Sequence, residues 1–137
     1  MTGMAETVLV AATDPHIAYL LGRYCRQGGF APVEAASAAQ LVELTLEHRP
    51  ALVILELDTH PDSDLALAEL RTDPRTSAVP VIIYSASGRR APRRLGPVQG
   101  YLRETVLYSD FAAALCAAGL VSATSRPRRS RGGRAPR

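Results

Sequence analysis

Two carboxylates stand two residues apart at the end of a solid apolar run. Residues 51–58 read Ala-Leu-Val-Ile-Leu-Glu-Leu-Asp, with β-branched Val53 and Ile54 inside the run. Apolar on both faces, such a run suits a strand covered on both sides in a parallel sheet. Residues two apart in a strand share a face. Glu56 and Asp58 would therefore arrive together at the carboxyl edge of a sheet, where open α/β folds place their sites. The other reactive side chains offer less. Asp14 stands before Pro15 as a helix cap would, and Asp62 and Asp64 can cap a later helix. His16, His48, His60 and the two cysteines are not spaced as a metal set, which argues against zinc. No glycine-rich phosphate loop and no nucleophile–base set marks a small α/β enzyme.

The segments around that run alternate. Residues 7–12 read as a short buried strand. Thr13 or Asp14 caps a helix over residues 15–27, with Pro15 at its first position and Ile17, Leu20, Leu21 and Tyr24 at helical spacing. Gly28 and Gly29 end it. Residues 30–35 form a weaker strand near an edge. Ser37 caps a second helix that runs to His48, and Pro50 stops it. After the polar loop that follows Asp58, Ser63 or Asp64 caps a third helix through Leu67 and Leu70. A fourth strand spans residues 79–84 and a fifth spans 98–102. Between them, residues 87–97 are too short and too interrupted by Gly and Pro for a full-length helix. Ser109 or Asp110 caps a last helix from Phe111 to about residue 118. Strands alternating with helices in this way imply a parallel sheet with helices on both faces and right-handed crossovers. With five strands this is a flavodoxin-like α/β fold of order 2-1-3-4-5, whose crevice lies between strands one and three.

Composition bounds the rest. The chain has 137 residues, 47% hydrophobic and 5% aromatic, with no Trp. That is enough for one domain with an aliphatic core. No apolar segment approaches the roughly 20 residues of a membrane span, and the amino terminus lacks a basic region followed by a long apolar one. A cytoplasmic protein is expected, with Cys25 and Cys116 as reduced, buried thiols. All 16 basic residues are Arg, and the chain has no Lys. Residues 1–120 hold 10 Arg against 13 acids, a balance of −3, whereas residues 121–137 hold 6 Arg and no acid. The expected division is a domain over 1–120 and a disordered Arg-rich tail over 121–137.

Four segments, in order and spacing, resemble a response-regulator receiver domain over about residues 7–120. Val-Leu-Val-Ala-Ala-Thr-Asp-Pro at 8–15 resembles the first strand and its acidic loop. Pro-Ala-Leu-Val-Ile-Leu-Glu-Leu at 50–57 resembles the strand that ends in the phosphoacceptor Asp. Val-Pro-Val-Ile-Ile-Tyr-Ser-Ala at 79–86 resembles the strand that ends in the switch Ser or Thr. Gly-Tyr-Leu-Arg-Glu-Thr at 100–105 resembles the segment carrying the aromatic switch residue and the family's Lys-Pro.

The resemblance implies a chemistry and also its loss. In that family Mg²⁺ bridges the acceptor Asp and the incoming phosphoryl group, and this hard cation takes carboxylate ligands. A Lys and a hydroxyl bind the phosphoryl oxygens, because the transfer depends on positioning and charge stabilisation. Here the acidic pair falls on Ala12 and Thr13, with Asp14 one place later. The acceptor falls on Glu56, and the Lys on Glu104. Counting back from Pro61 instead selects Asp58 as acceptor. Ser85 keeps the hydroxyl and Tyr101 keeps the aromatic switch position. Glu56 and Glu104 would lie near each other with no cation between them, an arrangement that repels a further anion.

The expectation is a degenerate phosphoacceptor pocket of Glu56, Asp14, Thr13, Ser85 and Glu104, without cofactor, metal or catalytic residue. The protein then acts as a pseudo-receiver, signalling by protein–protein contact without Mg²⁺-dependent phosphorylation. Its partner is a signalling protein, with a second copy of the chain as a further candidate and no membrane. The basic loop holding Arg89, Arg90, Arg93 and Arg94 is the candidate partner surface. Two alternatives stand beside this: an atypical response regulator of a two-component system that is phosphorylated, and a protein that meets nucleic acid through the charge of its tail.

Overall fold

The computed structural model describes residues 6–57 and 62–120. In chain order the elements are β1 (Thr7–Ala11), α1 (Pro15–Gln27), β2 (Ala31–Glu34), α2 (Leu41–His48), β3 (Leu52–Glu56), α3 (Asp62–Thr72), β4 (Val81–Tyr84), β5 (Gly100–Leu102) and α4 (Tyr108–Ala117). The strands form one parallel sheet in the order β2-β1-β3-β4-β5. This is the flavodoxin-like order. Every residue of β3 is buried, as its unbroken apolar sequence requires. The edge strand β2, Ala-Pro-Val-Glu, has both ends exposed.

Side-chain alternation along the strands divides the core between the two faces of the sheet. Val8, Leu52, Ile54 and Ile82 meet Leu21 and Cys25 of α1 and Phe111 and Leu115 of α4. Leu9, Val53, Leu55 and Ile83 meet Leu41 of α2 and Leu67 and Leu70 of α3. Helices therefore cover both faces, with α1 and α4 on one and α2 and α3 on the other. Among the described residues, no helix is long and apolar enough to cross a membrane.

Several boundaries differ from those expected. The strand β4 starts at Val81 rather than Val79, since Pro80 lacks the N–H a ladder needs. The strand β5 starts at Gly100 rather than Val98. Before it, Gln99 holds Val81 at both ends: its side-chain oxygen accepts from Val81 N at 2.7 Å and its N–H donates to Val81 O at 2.8 Å. Neither Ser109 nor Asp110 stands at the cap of α4. That helix begins at Tyr108 behind Leu107, and the Asp110 carboxylate reaches back to accept from Leu107 N at 2.9 Å. Ser63 and Asp64 lie inside the first turn of α3, which starts at Asp62. Ser37 precedes a 3₁₀ turn, Ala38–Gln40, and makes no side-chain cap bond. Asp14 does cap α1, its carboxylate accepting from His16 N at 2.9 Å. Cys25 is buried but Cys116 is exposed, which corrects the expectation of two buried thiols.

The link from β4 to β5 contains a single 3₁₀ turn, Arg93–Leu95, where a full helix could have stood. An arginine from α3 holds this link in place. Arg71 donates to Ser77 O at 2.8 Å, Val79 O at 2.7 Å and Pro97 O at 2.7 Å. Its stem also packs 3.5 Å from where a Cβ on Gly96 would lie, and Gly96 has a φ of +93°. Loss of hydration on burial lowers the Arg71 pKa below its ordinary value.

Candidate functional site

The strand β3 ends at the carboxyl edge of the sheet with Glu56, only 7% exposed. Its carboxylate faces the start of α1. The oxygen Oε1 accepts from Thr13 N at 2.8 Å, Asp14 N at 3.2 Å and Thr13 Oγ1 at 3.3 Å. These backbone N–H groups precede the first turn of α1, where the partial positive charge of a helix N-terminus favours an anion. The extra methylene of Glu over Asp lets the group reach across the crevice from β3 to the β1–α1 loop. A shorter acid has a shorter reach from the same backbone position.

Two further ties fix this end of β3. Ser63, buried in the first turn of α3, donates its hydroxyl to Glu56 O at 2.9 Å. Arg89 donates from Nη1 to Leu57 O at 2.7 Å and from Nη2 to Asp64 Oδ2 at 2.7 Å. Its own N–H donates to Ser85 Oγ at 2.8 Å, and Ser85 is buried at the end of β4. Ser85 N in turn donates to Leu102 O at 3.0 Å, joining β4 to the end of β5. Arg89 thus links the end of β3 to α3 through its guanidinium, and to the end of β4 through its backbone N–H.

The crevice brings together Glu56, Thr13 and Asp14, with Ser85 at the end of the next strand. It does not include Glu104 in this network. Glu104 is exposed beyond β5 and lines a groove between β5 and α4, and no hydrogen bond or ion pair joins it to Glu56. The expectation set both acids in a crevice without a cation; Glu104 is instead exposed to solvent. Glu56 is satisfied by N–H and O–H donors, and Arg89 supplies a guanidinium one residue beyond it. Asp58, the alternative acceptor, lies outside the described residues, as does the Arg-rich tail.

The four arginines of the basic loop are not alike. Arg89 is held internally as described. The Arg90 guanidinium lies 4.0 Å from the ring centroid of Tyr101, which is half-buried on β5. Arg93 and Arg94 are exposed on the 3₁₀ turn. Sequence reasoning missed Ser63 and Asp64 as holders of this site. Both were legible only as caps of the third helix.

A sensor protein from Polaromonas sp. JS666 is 25% identical, with 82% of this chain and 94% of that chain covered and a TM-score of 0.75. A putative response regulator from Chloroflexus aurantiacus J-10-fl is 19% identical, with 85% and 99% covered and a TM-score of 0.72. The chain has the receiver-domain fold of response regulators. A third receiver domain, from a sensor histidine kinase of Pseudomonas aeruginosa PAO1, holds a magnesium ion in its active-site cleft; it is 17% identical with a TM-score of 0.72, over 85% of this chain and 99% of that one. No family model matches the chain, and no curated protein matches it.

The donor set of this receiver fold does not fit such an ion. Beside Glu56 stand Ala12, which has no donor, and Thr13, whose N–H and hydroxyl are directed at Glu56. The carboxylate of Asp14 is turned to His16 N. Among the described residues, no three His, Cys, Asp or Glu side chains are gathered as metal ligands.

Proposed function

We propose that this protein is a pseudo-receiver: a non-catalytic signalling domain that acts by contact with a protein partner and not by Mg²⁺-dependent phosphorylation. One observation carries the reading. The group at the acceptor position, Glu56, is already engaged through Oε1 by two backbone N–H groups and a hydroxyl. An oxygen so engaged is not open to a bridging metal ion, and a transferred phosphoryl group needs cations around it. The cation at this end of β3, Arg89, is committed to Leu57 O and Asp64. The solved neighbours, which are receiver domains of response regulators and sensor proteins, support a role in signal transduction.

The remaining basic side chains of the β4–β5 link suit recognition of an acidic partner. Arg93 and Arg94 are exposed and Arg90 is fixed over Tyr101. Fixing the Arg90 side chain in advance lowers the entropy lost when a partner binds.

Incubation with Mg²⁺ and acetyl phosphate, followed by intact-mass measurement, tests the reading. The expected mass is that of the unmodified chain. An adduct of one phosphoryl group that disappears in Glu56→Gln or Asp58→Asn would establish the phosphorylated alternative in its place.

A further inference from the structure

A trough runs between α2 and α3 on the face opposite α1 and α4. Its α3 wall is one helical stripe, with Leu65, Ala66 and Glu69 at i, i+1 and i+4, continued past the helix end by Asp73 and Arg75, and its α2 wall is Val42. The lower part has a volume of about 570 Å³ and is closed by Pro74. The upper part is bounded by Leu65, which is 58% exposed, one of three large apolar side chains so placed among the described residues. The walls are acidic. Residues 38–48 and 62–75 carry Glu43, Glu47, Asp62, Asp64, Glu69 and Asp73 against two guanidinium groups: Arg71, turned inward to three carbonyls, and Arg75, which lines the trough and pairs with Asp73. Asp64 and Asp73 are paired with Arg89 and Arg75. Glu43 and Glu69 are exposed and form no ion pair among the described residues. An apolar floor under unpaired carboxylates fits a peptide whose long cationic side chains lay their methylene stems on the floor and their charge on the rim.

This chain carries such a peptide. Residues 126–137 read Arg-Pro-Arg-Arg-Ser-Arg-Gly-Gly-Arg-Ala-Pro-Arg. We propose that this Arg-rich segment docks in the α2–α3 trough of its own chain. The position at which the described chain ends supports it. The turn at Gly119, with a φ of +86°, brings Leu120 N back to Leu115 O at 2.8 Å, so the tail departs at the foot of α4. Helices that follow parallel strands run back to the amino edge of the sheet, and α3 ends there as well, at the Asp73 and Pro74 mouth of the trough. Three layers separate the two feet by about 20 Å, at about 10 Å per layer. Six extended residues span that distance at roughly 3.3 Å each. Residues 121–125, Val-Ser-Ala-Thr-Ser, are uncharged, and the first arginine, Arg126, arrives at the unpaired Glu69. The groove between β5 and α4 is a weaker fit, because it holds only two carboxylates, Glu104 and Asp110, and Asp110 is occupied by Leu107 N. The proposal does not depend on the state of Glu56.

The test places a nitroxide on the full chain at Ser130→Cys in a Cys116→Ser background, Cys25 being buried. Amide signals are then read by ¹⁵N NMR. The expected result is loss of the Leu65, Glu69 and Thr72 signals at low salt, unchanged on dilution and reversed at high salt. Glu69→Arg should restore the signals. Arg126→Gln, Arg128→Gln and Arg129→Gln together should do the same, and these tail positions cannot disturb the core. The proposal is overturned if these signals persist in the labelled chain, if the loss falls on residues 100–105 instead, or if dilution restores the signals, which would assign the contact to a second copy.

Discussion

Replacing Glu56 by Gln separates two accounts of this residue by the sign of one number. If Glu56 is a stranded acceptor, a buried anion facing another anion, removing its charge stabilises the fold. In the structure the carboxylate instead accepts from Thr13 N, Asp14 N and Thr13 Oγ1 at the start of α1. A hydrogen bond to a charged acceptor contributes about 1.5–3 kcal/mol, against about 0.5–1.5 for a neutral one. Gln can keep an acceptor in place but loses the charge assistance and the attraction of the helix N-terminus. With three donors sharing one oxygen, the terms do not add fully, so the expected loss is about 1–2 kcal/mol. In urea, with a slope of about 1–3 kcal/mol per molar, the midpoint should fall by roughly 0.3–2 M at unchanged slope. Glu104→Lys is the companion measurement. Since Glu104 is exposed and has no link to Glu56, the change should stay within about 0.5 kcal/mol. A midpoint that rises in Glu56→Gln, together with a clear rise in Glu104→Lys, refutes a Glu56 held by the head of α1 and restores the stranded acceptor.

Three other outcomes are expected from parts of the fold outside the crevice. Arg71→Ala should destabilise by about 2–3 kcal/mol in the same assay, since three carbonyls lose one cationic donor; Arg71→Lys should not rescue it, because one ammonium cannot reproduce the planar fork. Burial pushes the Cys25 thiol from 9.0 up to about 12, partly opposed by the charge of Arg26. Its folded-state pKa is raised, so its contribution is complete below pH 9.0 and is lost as pH rises towards 12. Stability should fall in that window by up to about 1.4 kcal/mol per pH unit relative to Cys25→Ala, read as the urea midpoint against pH. Cys116, being exposed, should react with iodoacetamide in the native state while Cys25 does not, and peptide mass mapping distinguishes them.

Much of the fold was legible because its signals are local. The apolar run ending at Glu56 has no polar face, and only a strand covered on both sides accommodates that. Asp14-Pro15 and the glycine pair at 28–29 bound α1 through their own backbone preferences, and the helix spans the residues so marked. The shortened link after β4 followed from Gly and Pro at positions a helix cannot use. Boundaries set by side chains reaching across the fold were not legible. Gln99 delays β5 by bonding Val81, and Asp110 starts α4 early by bonding Leu107 N.

The sequence by itself determined that a carboxylate stands at the carboxyl edge of the central strand, and that the acids and the Lys expected around a phosphoacceptor are absent. It could not determine what that carboxylate touches. Glu56 and Thr13 are 43 positions apart, and Arg89 lies 32 from Leu57 and 25 from Asp64. Only closure of β3 between β1 and β4 brings these groups within hydrogen-bond distance. Charge read along the chain placed two acids in conflict. The tertiary structure turned one towards the N–H groups at the head of α1 and left the other in solvent, because side-chain length and strand register, not sequence order, decide which groups meet.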